Sequence, residues 1–263
     1  MTIQELRDSN FSLVLSGGGA LGIAHLGVIE ELEEFSLEPR EIVGTSMGGI
    51  IGACLAIGMK QEEIYSQIKQ FAGIGNWIKL SLSGNSIIKS DKIASIFESI
   101  FGDLKIRDCK IELKIIATNL LTGQKRVFDK SSDTLLKDAL LCTMAIPGVF
   151  EEQSIDGEIL GDGFLCENLG VREATYQKIL AVDVMGYDSF EHNLPNNFFK
   201  TANVMEMFER SMRLLIFNQT QTALETLKER EIYLISPKTR DFKTFHFNRA
   251  EEIRELGRGF IKI

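Results

Sequence analysis

A serine set between two glycines is the first feature of this chain with chemical meaning. Residues 44–48 read Gly-Thr-Ser-Met-Gly, which has the form G-x-S-x-G, and they lie where a short apolar run gives way to a helical pattern. At such a strand-to-helix turn, Gly44 and Gly48 allow the bend that exposes the Ser46 hydroxyl, and the helix N-terminus stabilises developing negative charge. Ser46 is therefore a candidate nucleophile for acyl transfer. The alternative is that Ser46 only caps the helix.

A glycine-rich turn comes earlier in the chain, after the apolar run 11–16. Its residues Gly17, Gly18 and Gly19 carry backbone N–H groups that can converge on an oxyanion at a neighbouring strand end. Together with Gly22, the turn also fits the dinucleotide fingerprint G-x-G-x-x-G. The second predicted strand, however, ends in glycine, threonine and serine, not in the acidic residue that would hold a ribose. The pattern therefore favours an oxyanion hole over a nucleotide site.

An activated serine needs a proton acceptor, which this chain can supply as an aspartate or a histidine. Asp162 lies between two glycines after a predicted hairpin, where a carboxylate can project from a sheet edge, although a plain turn residue is the alternative. A triad of Ser46, Asp162 and then His192 or His246 would fit the chain order of α/β-hydrolases. Those folds normally carry several strands before the nucleophile, and only one is predicted here. His25 falls in the first predicted helix and is expected to be structural.

The elements that must position these residues alternate between strand and helix. The first strand, over 11–16, precedes a helix over 21–35, and a second strand over 41–45 precedes a helix over 47–59. Further patterns predict helices over 62–71, 91–101, 134–145 and 203–230 and from residue 248, strands over 111–119, 125–128, 179–185 and 231–235, and a hairpin turn at 156–157. This alternation predicts a parallel sheet with helices packed against it.

Composition narrows the classes of function. The 263 residues carry a net charge of −8, so the electrostatic footprint of a nucleic-acid-binding protein is missing. Four widely spaced cysteines favour reduced thiols in the cytoplasm and give no support to zinc. Residues 1–10 lack the apolar core of a secretory signal, and the uncharged stretch 42–59 is better explained by strand, turn and helix than by a membrane span. We expect one domain over 1–263, with a catalytic core of about 11–185 and a helical part of about 200–263.

Four blocks of this sequence, in this order, resemble the patatin-like phospholipases, which include bacterial patatin-like esterases and the catalytic region of neuropathy target esterase. Residues 15–22 are similar to the family's glycine-rich oxyanion block, 44–48 to its nucleophile elbow, 143–150 to the segment before its aspartate, and 162–168 to its Asp-Gly block. The resemblance covers most of the chain, and four ordered blocks are far more specific than any one of them.

The resemblance implies a three-layer α/β/α sandwich with a mostly parallel central sheet, in which Ser46 attacks an acyl carbonyl and Asp162 accepts its proton. It implies a lipid ester as substrate, either phospholipid or lysophospholipid, with no cofactor or metal. The expected protein is cytoplasmic and contacts a membrane surface transiently. The family usually has Arg or Lys in place of Leu21, and Gly or Ala in place of Phe164. Because of Leu21, a catalytically silent lipid-binding or regulatory protein is an alternative. The 203–230 helix covers an acyl channel or touches a membrane surface, or else it docks on the sheet.

Overall fold

Eight strands form one central sheet in the computed structural model, which describes residues 3–7, 9–70, 91–192 and 204–261. The strands are β1 Phe11–Leu15, β2 Glu41–Thr45, β3 Glu112–Asn119, β4 Lys125–Phe128, β5 Gln153–Ile155, β6 Glu158–Asp162, β7 Lys178–Val182 and β8 Glu231–Ile235. Their order is β5-β6-β3-β2-β1-β7-β8, and β4 also pairs with β3. Contacts among β1, β2, β3, β7 and β8 are parallel, whereas β4, β5 and β6 pair antiparallel. The predicted mostly parallel sheet is confirmed.

Helices connect these strands. They are α1 Ile3–Arg7, α2 His25–Glu34, α3 Met47–Ala56, α4 Gln61–Lys69, α5 Asp91–Phe101, α6 Leu136–Thr143, α7 Val204–Glu225 and α8 Ala250–Glu255. Short 3₁₀ helices flank several of them, including Gly19–Ala24 and Gly163–Leu165. No helix in the described part of the chain combines the length and hydropathy that crossing a bilayer requires.

Both faces of the sheet are covered, which gives the three layers. Successive side chains of a strand point to opposite faces, and in β1 Leu13 and Leu15 belong to the larger core, formed with α2 to α6. Val14 belongs to a second core on the other face, where Val171 and the α7 residue Ala223 pack. The chain thus has the predicted α/β/α arrangement.

Two elements near the glycine turn differ from the prediction. The helix expected from residue 21 begins as the 3₁₀ helix Gly19–Ala24 and becomes α-helical only at His25. Leu21 N donates to the Gly18 carbonyl, three residues back, at 3.1 Å, which closes a 3₁₀ turn. The strand expected over 179–185 ends at Val182. After that point Val184 N donates to Ser16 Oγ at 3.0 Å instead of continuing the ladder.

Other differences concern the ends of helices. The helix predicted over 203–230 ends at Glu225, because Thr226 N and Leu227 N bond to carbonyls three residues back and close the last turn. Residue 203 lies outside the described part of the chain, as does the last residue of the helix predicted over 62–71. The helices predicted over 134–145 and from 248 are observed as the shorter α6 and α8.

Candidate active site

Ser46 lies at the sharp turn between β2 and α3. Its φ of 52° and ψ of −124° place a non-glycine residue in the left-handed region, which costs about 1–3 kcal/mol and persists mainly at functional sites. Gly48 lets the turn close, since a Cβ there would collide with the carbonyl oxygen of Leu15. The Ser46 side chain makes no capping hydrogen bond to α3. The helix-cap interpretation is therefore wrong.

Thr143, at the end of α6, holds the strained backbone of Ser46. Its Oγ1 accepts a hydrogen bond from Ser46 N at 2.8 Å and donates to the Ile116 carbonyl at 2.5 Å. All three residues are buried, so no water replaces these bonds. The hydroxyl of Thr143 therefore joins the serine turn to β3.

Asp162 is the last residue of β6 and faces Ser46 directly. Ser46 Oγ donates to Asp162 Oδ2 at 2.6 Å, and Phe164 N donates to Asp162 Oδ1 at 3.0 Å. Burial raises the pKa of the fully buried Asp162 from 3.8 to about 7, against these two hydrogen bonds, which lower it. A carboxyl group with a pKa near neutrality can both accept and return a proton there. The structure thus brings together the two side chains that the sequence singles out.

The glycine turn approaches the same point from β1. Gly18 and Gly19 line a cavity shared with Ser46, and among the described residues neither of their N–H groups has an acceptor. The N–H of Gly17 differs, because it donates to the Asn168 carbonyl at 3.2 Å. This corrects the predicted set of oxyanion donors. Gly17 anchors the turn, and Gly18 and Gly19 have free donors.

The three histidines bond to other groups. His25 is buried with its Nε2 donating to the Ser16 carbonyl at 2.9 Å, and burial lowers its pKa to about 4. His192 Nε2 lies 2.9 Å from the Tyr187 carbonyl, and His246 Nδ1 accepts from Lys243 N at 3.1 Å. Because Ser46 Oγ bonds directly to Asp162, no histidine stands between these two groups.

A cavity of about 530 Å³ lies next to Ser46 and Asp162. Its wall is mostly apolar and includes Ile50, Val149 and Phe150. Predominantly apolar pockets with a few convergent polar groups are typical of small-molecule sites. The arrangement suits an acyl chain whose ester carbonyl reaches the serine hydroxyl.

The far wall of the cavity comes from the C-terminal part of the chain. Phe208, Met212 and Ile216 of α7 line it at a spacing of four residues, and Phe245 and Phe247 close it from the segment before α8. The sequence left open whether this helix covers a channel or docks on the sheet. In the structure the helix lines the cavity with these three residues, and its C-terminal half packs on the sheet through Ala223. The two phenylalanines were missed, since they belong to no motif and no periodic element.

A buried arginine joins these two C-terminal segments. Arg213 Nη2 donates to Glu209 Oε1 at 2.7 Å, within α7, and to the Phe242 carbonyl at 2.7 Å. Its side chain is 6% exposed, so the carboxylate and the carbonyl replace the water that the guanidinium loses. Arg213 therefore fixes the cavity-lining part of α7 to the segment that carries Phe245.

The two departures from the family pattern have different surroundings. Leu21 is fully buried in the larger core, so an apolar side chain occupies the position where the family usually has a cation. Phe164 lines the cavity, and its N–H is the donor to Asp162. Leu21 therefore removes a charge near the glycine turn, whereas Phe164 adds an aromatic ring to the substrate side of the site.

The buried carboxyl group of Asp162 predicts a dependence of stability on pH. Its pKa is about 7 in the folded state and 3.8 as the reference value, so between these values the folded state holds a proton that the unfolded state has released. The free energy of unfolding should therefore fall as pH rises from about 4 to about 7. Asp162→Asn removes this contribution. We expect the melting temperature of Asp162→Asn to rise relative to that of the wild type between pH 5 and pH 8. A difference in melting temperature that stays constant over this range would contradict the raised pKa of Asp162.

Several known proteins are similar to this chain in sequence. A family model described as Patatin-like phospholipase matches residues 13–175. Lysophospholipase NTE1 of Eremothecium gossypii is 31% identical over 94% of this chain and 18% of its own length. An uncharacterised NTE family protein of Mycobacterium bovis is 32% identical over 60% of this chain and 43% of its own. The chain thus spans about a fifth of the length of the fungal relatives and less than half of the mycobacterial one.

Among solved structures, VipD of Legionella pneumophila aligns with a TM-score of 0.45 at 12% identity, covering 94% of this chain and 66% of VipD. The type III effector ExoU aligns with a TM-score of 0.44 at 14% identity, covering 95% of this chain and 51% of ExoU. The family assignment depends on the sequence match, which covers more than half of the chain and contains both Ser46 and Asp162. On that evidence, this chain belongs to the patatin-like phospholipase family.

Proposed function

We propose that this chain is a serine acyl hydrolase that cleaves carboxylic esters of lipids, either phospholipid or lysophospholipid. The observation that carries the proposal is the 2.6 Å hydrogen bond from Ser46 Oγ to Asp162 Oδ2 beside an apolar cavity. A nucleophile within hydrogen-bond reach of its base is the signature of covalent catalysis. The family match and the lysophospholipase relative support a lipid ester as the substrate class.

In the first half of the reaction, Ser46 Oγ attacks the ester carbonyl while Asp162 Oδ2 takes the hydroxyl proton. The carbonyl oxygen becomes an oxyanion, which the free N–H groups of Gly18 and Gly19 stabilise together with the N-terminus of α3. Collapse of the tetrahedral intermediate breaks the ester C–O bond. Asp162 returns its proton to the departing alcohol, and the acyl group remains on Ser46.

In the second half, water attacks the acyl carbonyl of the Ser46 ester. Asp162 accepts a proton from this water, and the same two glycine N–H groups hold the second oxyanion. Breaking the acyl–Oγ bond releases a free fatty acid, and the proton on Asp162 returns to Ser46. Both halves need one base and backbone donors, which is consistent with the bonding of the three histidines to groups other than Ser46 and Asp162.

Labelling with a fluorophosphonate probe tests the proposal, because only an activated serine reacts. We expect the wild-type chain to be labelled and to hydrolyse a p-nitrophenyl ester of a fatty acid. A chain that binds lipid but shows neither reaction would favour the silent lipid-binding alternative.

The pKa of Asp162 predicts the pH profile of hydrolysis. Only the ionised carboxylate can accept the serine proton, so kcat/KM should fall about tenfold per pH unit below pH 7 and level off above it. The profile is measured on a soluble p-nitrophenyl ester with circular dichroism at each pH as the control for folding. An acid limb near pH 4, where an exposed aspartate titrates, would contradict the role given to the buried carboxyl group.

A further inference from the structure

A glutamine on α7 binds the loop that follows Asp162 and reaches the glycine turn. Gln219 Oε1 accepts a hydrogen bond from Asn168 N at 2.7 Å, and Gln219 Nε2 donates to the Phe164 carbonyl at 3.2 Å. Both partners are main-chain groups of the segment that follows β6. One side-chain amide thus bridges two points of the loop that leaves Asp162.

Gln219 is connected to the base Asp162 through Phe164. Phe164 N donates to Asp162 Oδ1 at 3.0 Å, and the carbonyl of the same residue accepts from Gln219. The position of Phe164 sets the direction of its N–H, and that N–H orients the carboxylate. Gln219 therefore acts on the base without touching it.

Gln219 is connected to the glycine turn of the proposed oxyanion hole through Asn168. The Asn168 carbonyl accepts from Gly17 N at 3.2 Å, and Asn168 Nδ2 donates to the Gly17 carbonyl at 3.4 Å. Asn168 is 1% exposed, so no bulk water can take the place of Gln219 at its N–H. Gly17 in turn begins the turn that carries Gly18 and Gly19.

We propose that Gln219 is a positioning residue, which fixes Asp162 and the Gly18–Gly19 turn relative to one another. Gln219 follows the cavity-lining Ile216 by three residues on the same helix, so a shift of α7 along the cavity would also move the loop that positions Asp162 and the glycine turn. The inference rests on the proposed hydrolase function and adds to it a residue outside the four sequence blocks.

Two substitutions separate the two contacts. Gln219→Met keeps the length of the side chain and removes both hydrogen bonds, whereas Gln219→Glu keeps the acceptor for Asn168 N and loses the donor to Phe164. The matched control is Gln221→Met, which changes a half-buried glutamine two residues further along α7. The readouts are kcat, KM and the pH profile on a p-nitrophenyl ester, the rate of fluorophosphonate labelling, and the melting temperature.

We expect Gln219→Met to lower kcat by roughly 10- to 100-fold, the scale of an ångström-level misplacement, with a KM near that of the wild type. Asp162 is faced by the Ser46 hydroxyl and the Phe164 N–H, and both lower its pKa. Loosening Phe164 should therefore move the acid limb to higher pH in Gln219→Met, which adds no charge near Asp162. Gln219→Glu should lose less kcat than Gln219→Met, and Gln221→Met should match the wild type.

The inference is overturned if Gln219→Met has the kcat and acid limb of Gln221→Met, even when its melting temperature is lower. Should Gln219→Met fail to fold, Gln219→Glu decides through its kcat above the acid limb, and a kcat equal to that of Gln221→Met overturns the inference. Failure of the wild type to be labelled or to hydrolyse esters is a different result. It overturns the proposed function, and the inference with it.

Discussion

Ser46→Ala should abolish ester hydrolysis, with a loss of roughly four to six orders of magnitude in kcat. Alanine has no oxygen to attack the carbonyl, so the acyl-enzyme cannot form, and Asp162 loses the hydroxyl that donates to it at 2.6 Å. The variant should also fail to react with a fluorophosphonate probe. The fold should persist, because the backbone of Ser46 keeps its hydrogen bond to Thr143 Oγ1.

A matched control exists for the strained backbone at this position. Ser36 is also a serine with positive φ, 54°, and it is exposed outside the residues that line the cavity. Ser36→Ala places alanine at another residue with positive φ, outside the cavity lining, and should leave hydrolysis and labelling unchanged. Probe labelling that persists in Ser46→Ala would place the nucleophile elsewhere.

Asp162→Asn should lower kcat/KM by about 10³-fold or more, on the scale seen when one member of a catalytic set is removed. The amide keeps an oxygen for the Phe164 N–H, but it cannot accept the serine proton. The side chains differ little in size, so the loss would come from chemistry. The measurement is kcat/KM on a p-nitrophenyl ester, with circular dichroism to show that the variant folds.

The histidines provide the comparison for Asp162→Asn. His192→Gln and His246→Gln should keep most of the activity. His25→Gln should do so too, because the side-chain amide of glutamine can donate to the Ser16 carbonyl in place of the imidazole. A histidine triad predicts the opposite, because its members act as a unit. A drop of about 10³-fold for either His192→Gln or His246→Gln would refute the direct Ser46–Asp162 pair and favour the α/β-hydrolase mechanism.

The sequence predicts those parts of the site that depend on the backbone conformation of a few neighbouring residues. Gly48 is needed where α3 starts against the carbonyl of Leu15, and the flanking glycines mark the strand end at Asp162. Strands β1, β2 and β3 follow from short apolar runs, and their parallel order follows from the intervening helical patterns. Such signals lie within a few residues of the feature that they predict, which is why they can be found in a single sequence.

The parts that the sequence does not predict depend on contacts between distant residues. Thr143, which holds the backbone of Ser46, lies 97 residues away from it in the sequence. The acceptor for Gly17 N is the carbonyl of Asn168, which is also distant in the sequence. No periodicity or spacing connects such pairs, so all three glycines of the turn looked equivalent as donors. The cavity wall at Phe245 is a similar case, because only the folded chain brings an irregular C-terminal segment beside the glycine turn.

The division of the cavity between two stretches of chain has an evolutionary consequence. Every group assigned to the chemistry lies within residues 17–168, whereas the wall opposite them is built from residues 208–247. A substitution of a wall residue such as Phe208 or Phe245 can alter the room for an acyl chain, while Gln219 in the same stretch keeps its contacts and the bond between Ser46 and Asp162 stays intact. The acyl chains accepted in the proposed reaction can therefore diverge through these wall residues without loss of the Ser46–Asp162 pair.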